Sequence, residues 1–398
     1  MKKVIIVTPR SPFQGRGADE QDRLCGIEWF INNGYGVQVI TKTFPSDFPH
    51  IEESKKRLNI SITGISYKYR GKRSLVRLLR RLVWPPYWDG AAFEYTDREI
   101  QNELKKQIEE FKPDFVWFDY TYLWPLYHIP LKKKIPIITR SINFEPDHFL
   151  DEDGRTPLNY FLVLFKYLSE ITSFRKSAHF FSITPKEEKI YRKFGKTSLS
   201  TLPLRSLCSR LEERETVCHE GLHIGFTPST FTVSHNLQAL LFIIRDVYPL
   251  LPEEVKKITT IHVTGNKFPE SLKIELPKSV KYDGFVPNSI DFWKAMDISF
   301  SPSLFGAGMQ QKIFEPIALG VPTITSKRGL ADYPFECGVH VVCASSKEEV
   351  VSAIIGLYNN KAKAQSISRE AQKLSRHFFS KTRIDWILKN GIRSSTKK

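Results

Sequence analysis

From its first residues the chain alternates short apolar runs with amphipathic stretches. VIIVT (4–8) precedes a helical pattern from Ala18 to Asn33, then VQVIT (37–41), a helix near 92–110 and FVWF (115–118). The series continues with IPIIT (135–139), a helix over 158–176, HFFSIT (179–184) and STLPL (200–204). Short continuous apolar runs predict strands buried on both faces, and their alternation with helices predicts a parallel sheet covered on both sides. After Leu204 the texture changes: RSLCSRLEERETVCHEG (205–221) is polar and weakly periodic, which predicts a linker. A second series follows, with LHIGF (222–226), a helix over 235–247, ITTIHVT (258–264), KYDGF (281–285) and ISFSP (298–302). It ends with a helix near 310–319, PTITS (322–326) and HVVC (340–343), and helical stretches at 347–359, 362–376 and 381–390 close the chain.

The pattern therefore predicts an α/β protein of two Rossmann-like, doubly wound domains, 1–204 and 222–377, joined by the linker 205–221. Two such domains leave an interdomain cleft, and open sheets of this kind bind ligands at the carboxyl ends of their strands. A chain of 398 residues suits two cores better than one.

Composition narrows the partners. The net charge of +16 suits an anionic membrane surface, a phosphorylated ligand or nucleic acid. From Ser54 to Arg81 there are ten lysines and arginines and no acid. Inside that window KRSLVRLLRRLVWPPYW (Lys72 to Trp88) sets Leu75, Leu78, Leu79 and Leu82 on one helical stripe, with Arg73, Arg77, Arg80 and Arg81 off it. Such a helix either lies in the headgroup layer of an anionic membrane, with Trp84 and Trp88 at the interface, or packs its leucines on its own domain. No zinc-finger, RNP-like or helix-turn-helix signature accompanies the charge, so no nucleic acid is expected. No apolar run approaches the ~20 residues that span a bilayer, and the start has too short an apolar run for a signal peptide. Five cysteines without CxxC pairing argue against a disulfide framework or a zinc site and point to a reducing cytoplasm.

Candidate chemistry gathers in SPSLFGAGMQQKIFEPIALGVPTITS (301–326), where a strand hands over to a helix. Glycines let backbone approach a ligand, and no Ser, Thr, Asp or Asn caps the helix, leaving N–H groups for phosphate oxygens. Lys312 adds a charge there. Glu315, one turn beyond Gln311 and Lys312, suits the two hydroxyls of a ribose; alternatively it is a first-turn acid serving the helix dipole. Pro316 complicates a helix already running at Glu315. In the first domain Gly15, Arg16 and Gly17 form a flexible turn after strand one, with Arg16 a candidate anion contact. Asp119 ends a strand and is a candidate cleft residue.

Several motifs in this order resemble the GT-B glycosyltransferases, and within them the family 4 type of retaining enzymes: GF (225–226) with HNLQALLFI (235–243), HVTGN (262–266), DGFVPN (283–288), AMDISFSPS (295–303) and GMQQKIFEPIALGVPTITS (308–326). The resemblance implies a glycosyltransferase that moves a sugar from a nucleotide-diphosphate donor to a glycan or lipid-linked acceptor. It implies that Glu315 contacts the donor ribose, and that Lys312 with Gly308, Met309, Gln310 and Gln311 contacts the diphosphate or sugar. Phe285 and Val286 would border the base, Gly265 would face the cleft, and His235 and Asn236 would lie near the phosphates or else cap their helix. Asp119 joins Glu315 and Lys312 as a candidate catalytic residue. The last segment, 378–398, resembles the family's terminal helix, which returns to the first domain. Asn143 and Glu145 in SINFEPDHF resemble an HNxE-type pattern.

Three departures from the pattern stand out. Ala307 occupies the position of the first of two glutamates, Ile142 that of the HNxE histidine, and GFTPSTFT (225–232) lacks the usual arginine and lysine. No metal and no cofactor are expected to be required, and the closest patterns are sugar transferases of surface-polysaccharide clusters. The expected location is the cytoplasm, with peripheral contact to the inner face of the membrane. The rival reading is a non-catalytic GT-B module that binds nucleotide or polyanion.

Overall fold

The computed structural model describes the chain except Arg16, residues 69–78, 80–82, 85–86 and 212–219, Pro287, Gly306, Ala307 and the last two lysines. The basic arginines Arg73, Arg77, Arg80 and Arg81, and Arg16, lie outside the described residues.

The chain divides into two compact units, Met1–Arg205 with Ile384–Lys398, and Ser206–Arg383. The first unit is built on seven parallel strands, β1 (Lys3–Thr8), β2 (Gly36–Thr43), β3 (Ser61–Ser66), β4 (Phe115–Phe118), β5 (Ile137–Arg140), β6 (His179–Ser182) and β7 (Ser198–Thr201). Their spatial order is β3-β2-β1-β4-β5-β6-β7. The apolar runs of the central strands are fully enclosed: Val4 to Val7 and Phe115 to Phe118 are at most 1% exposed. That burial on both faces is why these strands read as continuous apolar runs. The principal helices here are α1 (Ala18–Asn32), α2 (Phe48–Leu58), α3 (Arg98–Phe111) and α4 (Pro157–Lys176).

The second unit has six parallel strands, β8 (Leu222–Phe226), β9 (Thr259–Thr264), β10 (Val280–Gly284), β11 (Ile298–Phe300), β12 (Thr323–Thr325) and β13 (Val342–Cys343), in the order β10-β9-β8-β11-β12-β13. Its helices include α5 (Ser234–Leu241), α6 (Gln311–Ala318), α7 (Lys361–Phe379) and α8 (Lys381–Thr396), whose last residues from Ile384 join the first unit. There α8 sits close: a Cβ on Gly391 would fall 2.3 Å from the Phe181 ring, and the Trp29 indole donates to Asp385.

In both sheets the chain winds one way from the first strand and then reverses, so each has a switch point, between β1 and β4 and between β8 and β11. These are the two places where adjacent loops diverge and leave room for a ligand.

Three expectations need correction. The helix over 235–247 is interrupted: α5 ends at Leu241 and residues Phe242–Val247 follow as a wider π-type turn. The stretch from Arg205 to Arg210 is a 3-10 turn with Leu207 fully buried, its polar composition hiding a packed segment. Cys337 and Cys343 are joined as a disulfide, six residues apart, where their spacing had suggested no pairing. Among the described residues no helix is long and apolar enough to cross a membrane, and no group of three or more His, Cys, Asp or Glu could hold a metal ion.

Candidate functional site

The loop after β11 delivers α6 to the switch point of the second unit. Gln310 takes the N-cap position without a side-chain cap, and Gly308 adopts φ +77°, a turn that other residues resist. Pro316 stands inside the helix, so Lys312 O lacks its usual N–H partner; the Ser301 hydroxyl donates to it at 3.0 Å instead. That substitution lets the helix run from Gln311, so Glu315 lies a full turn inside it. An aromatic cluster of Phe314, Tyr333, Phe335 and Phe379 holds α6 from behind.

The other side of the switch point is α5 and the loop after β8. Lys312, largely buried, donates from Nζ to Asn236 Oδ1 at 2.8 Å, and its ammonium sits 5.8 Å from the centre of the Phe226 ring. Asn236 is fixed in turn, its Nδ2 donating to Thr230 O at 2.8 Å. Asn236 thus orients Lys312 rather than capping its own helix. His235 presents its ring edge-on to Phe305, centroids 6.2 Å apart. Lys312 and Asn236 therefore meet where the sheet order reverses, and His235 precedes Asn236 on the same helix.

Glu315 is buried, with side-chain exposure of 4%. Ser289 Oγ donates to its Oε1 at 2.8 Å and Gln311 Nε2 at 3.4 Å. Arg210 Nε lies 2.9 Å from the same oxygen. Sequence reasoning missed Arg210: it stands in the polar stretch before β8, and nothing in its local pattern marks a site. A carboxylate held by a cation and a hydroxyl is fixed in place, with acceptor capacity to offer the hydroxyls of a diol.

The remaining candidates of this unit take distinct places. Gly265 ends β9 at φ +121°, and a Cβ there would come within 2.5 Å of Pro228 O, so only glycine lets β9 meet the loop after β8. Phe285 is half exposed, while Val286 packs on Phe292, Trp293 and Met296. Met309 is buried, and Gln310 Nε2 donates to Ser303 Oγ at 3.0 Å. Among the described residues Gln310 Oε1 and Thr227 Oγ1 are buried without a hydrogen-bond partner, two polar atoms on facing loops.

In the first unit Asp119 follows β4 and is buried within an ion-pair network. Arg205 Nη2 lies 3.4 Å from its Oδ2, and Asp22 on α1 pairs with Arg205 at 2.8 Å and with Arg140. Burial alone would raise the Asp22 pKa, but the guanidiniums of Arg140 and Arg205 outweigh it and hold the carboxyl below its usual range. Asp119 thus ties β4 to Arg205, and its Oδ1 has no partner among the described residues. Gly15 adopts φ +63° and Gly17 precedes α1 as its N-cap without a side-chain bond. Nearby, Glu145 accepts hydrogen bonds from the hydroxyls of both Tyr120 and Tyr122. Asn143 offers its carbonyl to Ser141 Oγ at 2.7 Å.

Trp84 is exposed and stacks edge-on with Tyr87, whereas Trp88 packs edge-on against Phe165 with centroids 4.8 Å apart.

Residues 224–360 match the family model of the Glycosyl transferases group 1. No curated protein matches the chain by sequence. Among solved structures, HepE of Anabaena in complex with UDP is similar over 99% of this chain and 100% of its own, at 14% identity and a TM-score of 0.67. TarM of S. aureus, in a variant bound to Fondaparinux, α-GlcNAc-glycerol and UDP, is similar over all of both chains at 10% identity and a TM-score of 0.68. Sucrose-phosphate synthase of Thermosynechococcus elongatus matches over 99% of this chain and 98% of its own, at 11% identity and a TM-score of 0.68.

The class is that of the GT-B glycosyltransferases, the fold resting on these structures and the chemistry on the family match of the second unit. More particularly, the stretch of the second unit that matches the Glycosyl transferases group 1 model contains Asn236, Gly265, Lys312 and Glu315.

Proposed function

We propose that the chain transfers a sugar from a nucleotide-diphosphate sugar to a glycan or lipid-linked acceptor, with retention of anomeric configuration, in surface-polysaccharide or glycoconjugate synthesis. The observation that carries this reading is the pairing at the second unit's switch point. Glu315 lies one turn from Lys312 on α6, and Lys312 is aimed by Asn236 from α5. A ribose placed on Glu315 would set its diphosphate toward Lys312 and the uncapped start of α6. There the ammonium and the N–H groups would stabilise the charge that develops on the leaving diphosphate.

Arg210, Ser289 and Gln311 hold the Glu315 carboxylate. The ribose hydroxyls take over this role, so Arg210 is a placeholder whose pair with Glu315 opens on binding. Gly308, Met309, Gln310 and Gln311 line the approach to the diphosphate, Phe285 and Val286 the base, and Gly265 the floor of the loop. Gly15, Arg16 and Gly17 serve the first unit's anion contact, and Asp119 keeps β4 and Arg205 in place there. UDP bound to HepE and to the TarM variant supports a nucleoside diphosphate as the ligand class.

The experiment is donor breakdown without acceptor. Purified protein incubated with single nucleotide sugars releases free nucleoside diphosphate from one of them, and Glu315→Ala abolishes the release. Nucleotide binding without any release from any donor would favour a non-catalytic module instead.

A further inference from the structure

Helix α4 buries one face in its own unit, where Val163, Ser169, Glu170, Ser173 and Phe174 are enclosed. On its outer side Phe161, Leu164 and Leu168, flanked by Leu158 and Tyr160, are between 40% and 64% exposed. Half-buried Ile171 continues the line and exposed Arg175 ends it. Positions 161, 164, 168, 171 and 175 step by three and four residues, the spacing with which one helix seats against another. A contiguous apolar surface left exposed in this way marks a place of contact.

The charges at the two ends of this line differ in sign. Just before the helix Asp147, Asp151, Glu152 and the exposed Asp153 stand against one arginine, Arg155, which pairs with Asp151 at 3.2 Å. At the far end Arg175 and Lys176 are exposed, and Arg175 Nε donates to Phe194 O at 2.9 Å, which brings the exposed Arg192 and Lys193 alongside. The acid there, Glu188, accepts hydrogen bonds from Arg192 and Thr201. Between the ends the charges of α4 turn inward. Lys166 reaches Asp89 and the Tyr122 hydroxyl, and Glu170 accepts from Thr121 and Tyr191.

We propose that the outer face of α4 is the contact of a homodimer, in which two copies of the helix lie antiparallel about a twofold axis beside Leu164. Asp153 stands eleven residues before Leu164 and Arg175 eleven after it. An antiparallel second copy therefore brings each acidic end to the other's basic end, while Phe161, Leu164 and Leu168 close on their counterparts. A twofold contact has to be complementary to itself. The order acid, apolar, base meets that condition when antiparallel, whereas a parallel pair would set like charges together. Ends of opposite sign also count against a negatively charged lipid surface, which would repel the acidic one. The inference concerns assembly and goes beyond the transferase reading, on which it does not rest.

Sedimentation velocity of the full chain over a concentration series tests it. Wild type passes from monomer to dimer as concentration rises, and Phe161→Ser/Leu164→Ser weakens the dimer at least about tenfold with an unchanged circular dichroism spectrum. Arg175→Asp weakens it as well, and the charge swap Asp153→Arg/Arg175→Asp recovers it, which apolar association without a defined register would not do. A chain that stays monomeric throughout overturns the proposal, as does a dimer indifferent to the two serines. A swap that associates no better than Arg175→Asp alone overturns the antiparallel pairing. Flotation of a monomeric wild type with phosphatidylglycerol vesicles, lost in the double serine variant, assigns the face to lipid and also overturns it.

Discussion

Lys312→Met tests how the charge on α6 is used. Methionine keeps most of the aliphatic stem, so the substitution removes the ammonium with its 2.8 Å bond to Asn236 and its approach to the Phe226 ring, while leaving the volume nearly filled. Asn236 retains its bond to Thr230 O, so the protein loses about one neutral-to-charged hydrogen bond and regains the desolvation cost of a buried ammonium. The net change in stability is expected to be within about 1 kcal/mol. Binding of a nucleoside diphosphate differs, because a phosphate oxygen replaces Asn236 as the partner of a largely buried cation. A charged hydrogen bond contributes about 1.5–3 kcal/mol, which corresponds to about a 10- to 150-fold loss of affinity. The nucleoside without phosphates has no such partner and should bind both proteins alike. Isothermal titration of the nucleoside diphosphate and its nucleoside against both proteins reads the ratio directly. Equal losses for the two ligands, or none for the diphosphate, would refute the assignment of Lys312 to the phosphates.

Two further outcomes follow from the same geometry. Arg210→Ala removes the cation that a ribose must displace from Glu315, so nucleoside affinity should rise about two- to fivefold, a modest gain because the buried carboxylate also loses a partner that offsets its desolvation; unchanged or weaker binding contradicts the placeholder role. Glu187 is buried, and desolvation pushes its pKa up to about 8. Its folded-state pKa lies above the unfolded one, so its contribution is fully present below the unfolded value and is lost as pH rises from about 4.5 to about 8. Glu187→Gln should flatten the fall in urea-unfolding free energy over that window, and an unaltered slope would show that Glu187 is charged when folded.

Much of this was legible in the residues because the physics acting on them is local. Strands buried on both faces, such as VIIVT and FVWF, have nowhere to place a polar side chain, so they announce themselves. Edge strand β3, SITGIS, is covered less completely and has only Ile62 and Ile65 as apolar residues, so it left no apolar run, and the charged helix α2 before it left none either. Lys312 and Glu315 were visible because an uncapped helix start after a glycine loop is a local arrangement. What stayed hidden depends on distance along the chain. Arg140 and Asp22 are 118 residues apart and Arg205 and Asp22 are 183 apart, so no window of sequence contains their network, and Asp119 could not be seen as part of it. Arg210 is invisible for the same reason, since its partner lies on another element. Pro316 raised doubt about α6 that the hydroxyl of Ser301 resolves, again from outside the helix.

The central claim is that Glu315 holds the ribose of a nucleoside diphosphate, and a thermal-shift panel of UDP, GDP, ADP, TDP and CMP on wild type and Glu315→Ala tests it most directly. At a hundred times its dissociation constant a ligand adds ~2.7 kcal/mol, roughly 5–10 °C for a unit of this size. One diphosphate is predicted to stabilise the wild type by that order and the variant hardly at all. Stabilisation of equal size in both proteins, or in neither, would contradict the claim.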